Sequence, residues 1–189
     1  LYFDMNVNGT LHVLECAREA GVGRFLYAAS SSSYGIPDNY PTGETAPINP
    51  QYPYALTKYQ GEELVMHWAE LYKLPALSLR LFNVYGPREV YKGKTASMML
   101  QLGLQMLAGK TPKLFKWGGQ KRDFVYIDDV VQGNILASVS KENGVFNIGA
   151  GEAREFNEVF GELQSSLDLE CSVEYIDNPW SFYQNHTEA

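Results

Sequence analysis

The stretch "RFLYAASSSSYG" (residues 24–35) decides the fold class. Its first half is apolar and β-prone, and it then breaks into four serines and a Tyr-Gly. That is the pattern of a buried parallel strand delivering hydroxyls at its carboxyl end, the place where open α/β sheets hold their ligands. Further along, "LPALSLRLFNVYGPRE" (74–89) repeats the form as a mostly apolar strand followed by Asn83 and a Gly-Pro loop. Between the two lies "PYALTKYQGEEL" (53–64), with Tyr54 and Lys58 one helical turn apart. In a chain with 13 tyrosines, one Tyr-x-x-x-Lys arises by chance about half the time, and the plain alternative is an exposed helix pair. Flanked by two polar-tipped strand ends, the pair reads instead as an acid/base for redox chemistry.

The remaining pattern keeps a βαβ rhythm. Apolar positions at Val7, Leu11, Val13, Leu14 and Ala17 predict a helix over 5–20, with Gly21 as its stop. A strand is expected at 24–29, a long loop at 34–53 of the kind that lines a site, and a helix at 54–73 apolar around much of its circumference, one face for the sheet and one for a second subunit. Then come a strand at 75–82, a loop at 83–96, a helix at 97–109 and a short strand at 113–117. A helix capped by Asp128 or Asp129 is expected to run to about Ser140. A strand ending in glycines at 144–151, a helix at 156–167 and an edge strand at 171–177 complete the chain. The fold class is therefore α/β, a doubly wound parallel sheet, with one core-bearing unit and an appended lobe in 189 residues.

Composition excludes several functions. A net charge of -7 and pI near 5.0 without a Lys/Arg run argue against nucleic acid and against an anionic membrane surface. Anionic ligands must be met by a few placed cations. Cys16 and Cys171 form no C-x-x-C and no cysteine–histidine cluster, so no metal site or disulfide framework is expected and a reducing, cytoplasmic setting fits. No stretch has the apolar length of a membrane span and no leader opens the chain. A start at Leu1 reads as truncation. No G-x-G-x-x-G follows a strand: Gly21-Val22-Gly23 stands between a helix and a strand, and Gly149 and Gly151 lack a third glycine. The first, dinucleotide-gripping half of the fold is thus expected to be missing.

The ordered series "NVNGTLHVLECAREAGV", "YAASSSSYG", "PYALTK", "RLFNVYGPRE", "KRDFVYIDDVV" and "FNIGAGEAREFNE" resembles extended short-chain dehydrogenase/reductases acting on nucleotide sugars, specifically the epimerases, over nearly the whole chain. The resemblance implies a Rossmann-like sheet. Residues 1–82 would form the second half of an NAD(P)-binding domain with the catalytic residues, and 83–189 mostly a small substrate-binding lobe, interleaved with returning Rossmann elements at about 120–150. It implies catalytic roles for Ser30, Tyr54 and Lys58. Tyr54 would act on a sugar hydroxyl as its hydride leaves for NAD or NADP. A free phenol titrates near 10, and an adjacent ammonium and an oxidised nicotinamide draw it toward neutrality. Lys58 would also hold the nicotinamide ribose, with Asn6 and Phe82 beside the cofactor. Met5 and Ala29 depart from polar residues common in relatives. Ser31 and Ser32 stand where related dehydratases and decarboxylases carry acids, which favours epimerisation.

Two subclasses diverge. The first 80-odd residues resemble UDP-sugar 4-epimerases, in which Tyr54 would serve both sugar faces. From "FNVYGPREVYKGK" (82–94) onward, with "KLFKWGGQKRDFVYIDDV" (113–130) and "YIDNPWSFYQNHTEA" (175–189), the chain resembles ADP-glyceromanno-heptose 6-epimerase. That resemblance implies a second base, Lys92, whose plain alternative is a solvated loop lysine. It also implies substrate contacts from Ser30, Asn83, Arg122 at the pyrophosphate and Tyr183, Arg122 having an ion pair with Asp123 or Asp128 as its alternative. The expected partners are a nucleotide-diphosphate sugar and a second copy of the chain. A non-enzymatic, NAD(P)-sensing scaffold is the reading from another class; four intact polar site residues speak against it.

Overall fold

The computed structural model describes residues 1–180 and 183–189; Ser181 and Phe182, inside the 175–189 segment singled out above, lie outside the described residues. A π-helical turn, Asp4–Asn8, runs into α1 (Gly9–Glu19), which buries Thr10, Leu14 and Ala17. Gly21 follows with φ 61°, a conformation open to glycine at little cost. Next come β1 (Phe25–Ser30), a 3-10 turn at Ser31–Tyr34, α2 (Pro53–Tyr72), β2 (Ala76–Leu81), β3 (Asn83–Tyr85) and a 3-10 segment at Glu89–Thr95. The second part holds α3 (Met98–Leu107), β4 (Lys113–Phe115), β5 (Lys121–Tyr126), α4 (Ile127–Val139), β6 (Gly144–Ile148), β7 (Ala153–Glu155), α5 (Phe156–Leu167) and β8 (Glu174–Ile176).

The strands form three small sheets. β1, β2 and β6 are parallel, with Phe25 opposite Ala76 and Leu77 opposite Gly144, so residues 144–148 return to the sheet that carries the serines. β3 pairs parallel and β7 antiparallel with β5, while β4 pairs parallel with β8. This is the expected parallel α/β arrangement, Rossmann-like in its βαβ crossovers.

One core lies under α1 and α2, where Leu14, Tyr27, Val65 and Ala76 meet. α2 begins with Pro53 at its first turn, where a missing N–H costs nothing. Gly61 lets it approach closely: a Cβ there would sit 2.2 Å from the Tyr27 hydroxyl and 2.6 Å from the Asn6 carbonyl. A second core joins α3 and α5 to β4 and β5 through Leu102, Met106, Leu114, Phe124, Phe156 and Phe160. The site opens between these cores.

Several expectations need correction. The N-cap of α4 is Tyr126, without a side-chain cap. Asp128 and Asp129 lie inside the first turn, where their charges still favour the positive end of the helix dipole. The strand at 144–151 stops at Ile148 because Gly149 and Gly151 turn the chain, and the edge strand at 171–177 contracts to 174–176. Strands β3, β5 and β7 were not expected. Among the described residues, no helix is long and apolar enough to cross a membrane.

Candidate active site

Ser30 closes β1, and its hydroxyl lies 2.8 Å from that of Ser32 while accepting from the Ser32 N–H at 3.2 Å. Tyr54 stands in the first turn of α2, about a third exposed. Its ring is edge-on to Tyr2 at 5.7 Å and nearly parallel to Tyr52 at 6.5 Å. One turn further, the Lys58 amine donates to the Ala28 carbonyl and lies 4.5 Å above the Tyr27 ring. Burial pushes the Lys58 ammonium below its usual range, with Glu62 opposing.

Asn6 lies outside the two cavities that hold the other candidate residues. Its amide donates to the Thr57 hydroxyl at 3.0 Å, and Thr57 donates to the Tyr54 carbonyl at 3.1 Å. It thus braces the turn that carries Tyr54.

Phe82 is buried at the end of β2. The Asn83 amide donates to the Asp123 carbonyl at 3.1 Å and to the Thr187 hydroxyl at 2.8 Å, which leaves its carbonyl oxygen as the group it can offer a ligand. Arg122, on β5, lies between the rings of Tyr183 at 5.0 Å and Phe156 at 5.5 Å and donates to the Lys121 carbonyl at 2.7 Å. Burial pushes its guanidinium pKa down, opposed by the phenols of Tyr183, Tyr52 and Tyr40. Neither Asp123 nor Asp128 pairs with it: the Asp123 carboxylate accepts the N–H groups of Ala150, Gly151 and Ala189 instead. A desolvated cation facing a cleft with no carboxylate among its described lining residues can meet an anionic group. Lys92 is exposed on the 3-10 segment, its carbonyl accepting from Thr95 at 2.9 Å.

These side chains share one cleft made of two adjoining cavities. The larger, about 720 Å³, runs from Ser30 and Tyr54 past Arg122 to Phe115, Trp180 and Tyr183. The smaller, about 460 Å³, runs from Ser30 and Tyr54 to Lys58, Phe82, Lys92 and Thr95. Their volumes suit a nucleotide-sized ligand. Of the sequence-chosen residues only Asn6 stands outside. Sequence reasoning missed Tyr52 and the C-terminal residues Gln184 and Thr187, which line the larger cavity. Tyr52 was legible as a third aromatic beside Tyr54, whereas the return of Thr187 to β5 has no local signal.

A family model described as "NAD dependent epimerase/dehydratase family" matches residues 1–149. The chain belongs to this family. It is 40% identical over 177 residues to the UDP-glucose 4-epimerase of Mycolicibacterium smegmatis, covering 92% of this chain and 56% of that protein. Among solved structures, the UDP-N-acetylglucosamine 4-epimerase of Methanobrevibacter ruminantium M1, in complex with UDP-N-acetylmuramic acid, matches with a TM-score of 0.94 and 28% identity over 99% of this chain and 60% of that one. The ADP-L-glycero-D-manno-heptose-6-epimerase of Helicobacter pylori matches with a TM-score of 0.86 and 40% identity over 97% of this chain and 56% of that one. The chain spans little more than half the length of the curated relatives it matches.

Proposed function

We propose that the full-length protein carrying this chain is an NAD(P)-dependent nucleotide-sugar epimerase, of the kind that inverts C6 of an ADP-glyceromanno-heptose for lipopolysaccharide or related glycan precursors. The observation that carries the finer reading is that Lys92 lines the same cavity as Tyr54, Lys58 and Ser30. Tyr54, Lys58 and Phe82, with the Ala28 and Ala29 backbone, make a floor that fits a nicotinamide and its ribose. When bound there, the oxidised nicotinamide supplies the hydride acceptor. Tyr54 would take the proton of the sugar hydroxyl, with Ser30 hydrogen-bonded to the same oxygen, while that carbon gives up its hydride, so that a ketone results. On reduction from the opposite face Lys92 would return the proton to the oxygen. Arg122 engages the pyrophosphate by its planar fork, with Asn83 and Tyr183 around the sugar-phosphate.

The second reading is a UDP-sugar 4-epimerase, favoured by the relatives named for that activity. In it Tyr54 serves both faces and Lys92 is idle. Incubating the full-length protein with ADP-D-glycero-D-manno-heptose and with UDP-glucose, and following products by proton NMR, separates the two. Inversion at the heptose C6 that is lost in Lys92→Met supports the two-base reading; inversion only at the hexose C4, indifferent to Lys92→Met, overturns it. The two free cysteines, Cys16 and Cys171, fit a cytoplasmic setting. The outward Leu56, Leu71 and Tyr72 of α2 fit a homo-oligomer.

A further inference from the structure

The loop that carries Lys92 begins and ends at one carboxylate. Glu89 is only 8% exposed. It accepts the Gly86 N–H at 3.2 Å, the Ser97 N–H at 2.7 Å and the Ser97 hydroxyl at 2.9 Å. Gly86 follows the last residue of β3, and Ser97 is the N-cap of α3, its hydroxyl also accepting from the Leu100 N–H at 3.2 Å. One side chain thus ties the strand end to the helix start and closes the segment between them. The charge sits at the positive end of α3, where an anion is favoured.

This segment does not hold its shape by regular structure. Arg88, just before the 3-10 segment, has φ 72°, and Gly93, with φ 56°, breaks its path. A non-glycine left-handed residue persists only where its surroundings impose it. Within the loop the Thr95 hydroxyl donates to the Lys92 carbonyl, and Thr95, Ala96, Ser97 and Met98 line the cavity with Lys92. The amine of an exposed lysine on such a loop has no fixed position unless its backbone is held from outside. Glu89 supplies that hold.

We propose that Glu89 is a positioning residue for Lys92: its three hydrogen bonds fix the 86–97 loop so that the Lys92 amine faces the cleft opposite Tyr54. The inference rests on the two-base reading. Glu89→Gln keeps the size of the side chain but replaces one acceptor oxygen by a donor, which cannot receive the Ser97 N–H and hydroxyl together with Gly86.

The test uses the full-length protein and compares Glu89→Gln, Ser97→Ala and Lys92→Met. Two quantities are read: steady-state inversion, and single-turnover appearance of reduced nicotinamide absorbance from each of the two heptose isomers. A latch acting through Lys92 slows the isomer that Lys92 serves and spares the one that Tyr54 serves. Glu89→Gln should then lower kcat about tenfold or more with KM nearly unchanged, and slow the same isomer as Lys92→Met. Ser97→Ala, which keeps both backbone bonds, should do so less, and the Glu89→Gln/Ser97→Ala double variant should be no worse than Glu89→Gln alone. Amide exchange should quicken over 86–97 while β2 and β5 keep their protection. Equal slowing of both isomers in Glu89→Gln or Ser97→Ala would reduce the latch to plain stability and overturn the inference. Normal turnover in Glu89→Gln with impaired Lys92→Met would overturn it alone, and normal turnover in Lys92→Met would overturn the two-base reading with it.

Discussion

Lys58 shows how a site residue sets function against stability. Its amine is drawn out of water between the Ala28 carbonyl and the Tyr27 ring, and burial outweighs the attraction of Glu62, so its pKa falls below the ordinary 10.5. The folded form therefore binds fewer protons than the unfolded chain between that lowered value and 10.5. Folding stability must rise with pH through this window, and below it the charged amine weakens the fold. Lys58→Met removes the charge and keeps the stem. It should raise the melting temperature at neutral pH, with the gain shrinking as pH climbs toward 10.5, while epimerisation is lost. Thermal unfolding of both forms at several pH values measures this; a gain that grows with pH would show the wrong sign. Residues poised for chemistry are commonly held in such unfavourable settings.

Among the elements, α2, β2 and the long loop after β1 are locked by a buried pair. Arg80 donates to both Glu62 oxygens, at 3.0 and 2.5 Å, and to the Tyr34 hydroxyl at 2.9 Å and the Glu44 carbonyl at 3.1 Å; Ser78 adds a bond to Glu62 at 3.0 Å. Removing one partner strands a charge in the interior. Glu62→Ala should destabilise by about 3–5 kcal/mol, whereas Glu62→Leu with Arg80→Met should lose much less. Denaturant midpoints of the two variants decide it, and equal losses would refute the argument. Neither Glu62 nor Arg80 stood out in the sequence, because a charge inside an apolar strand becomes legible only once its partner is placed. The elements with long apolar periodicity, α1 taken with the π-helical turn before it, α2, β1, β2 and α5, were legible to within a residue or two. The three-residue strands β3 and β7 are too short to show alternation. β5 was hidden because "KRDFV" puts three charged residues where a strand reader expects apolar ones. Asp123 there is buried to accept three backbone N–H groups, and Arg122 faces the cleft. The convergence of Ser30, Tyr54, Lys58 and Asn83 on one cleft was legible, since they sit at or near strand or helix ends with local polar signals. The bond from Asn6 to Thr57 was not legible, because the π-helical turn before α1 that aims it there has no signal of its own in the sequence.

For the molecule as a whole, the proposed function needs a grip for a dinucleotide as well as the cleft around Tyr54 and Lys58. A dinucleotide's pyrophosphate is met by free backbone N–H groups at a glycine turn opening a helix. Two glycine turns invite that role, and neither can fill it. Gly21 and Gly23 lie between α1 and β1, at the amino end of the strand and away from the serines. The turn after β6 does stand at a strand's carboxyl end, but the N–H groups of Ala150 and Gly151 already point at the Asp123 carboxylate, at 2.6 and 3.0 Å. A phosphate there would meet a fixed negative charge, and the carboxylate also holds the Ala189 N–H at 3.0 Å. Among the described residues, then, neither turn offers a dinucleotide's pyrophosphate free N–H groups at a strand's carboxyl end. Calorimetric titration of the isolated chain with NAD should show no binding at concentrations that saturate the full-length protein, and no epimerisation should follow. Asp123→Asn would not create a site, because the amide still fills the turn. Saturable NAD binding by the isolated chain would mean that the nicotinamide end, held by Tyr54, Lys58 and Phe82, suffices alone.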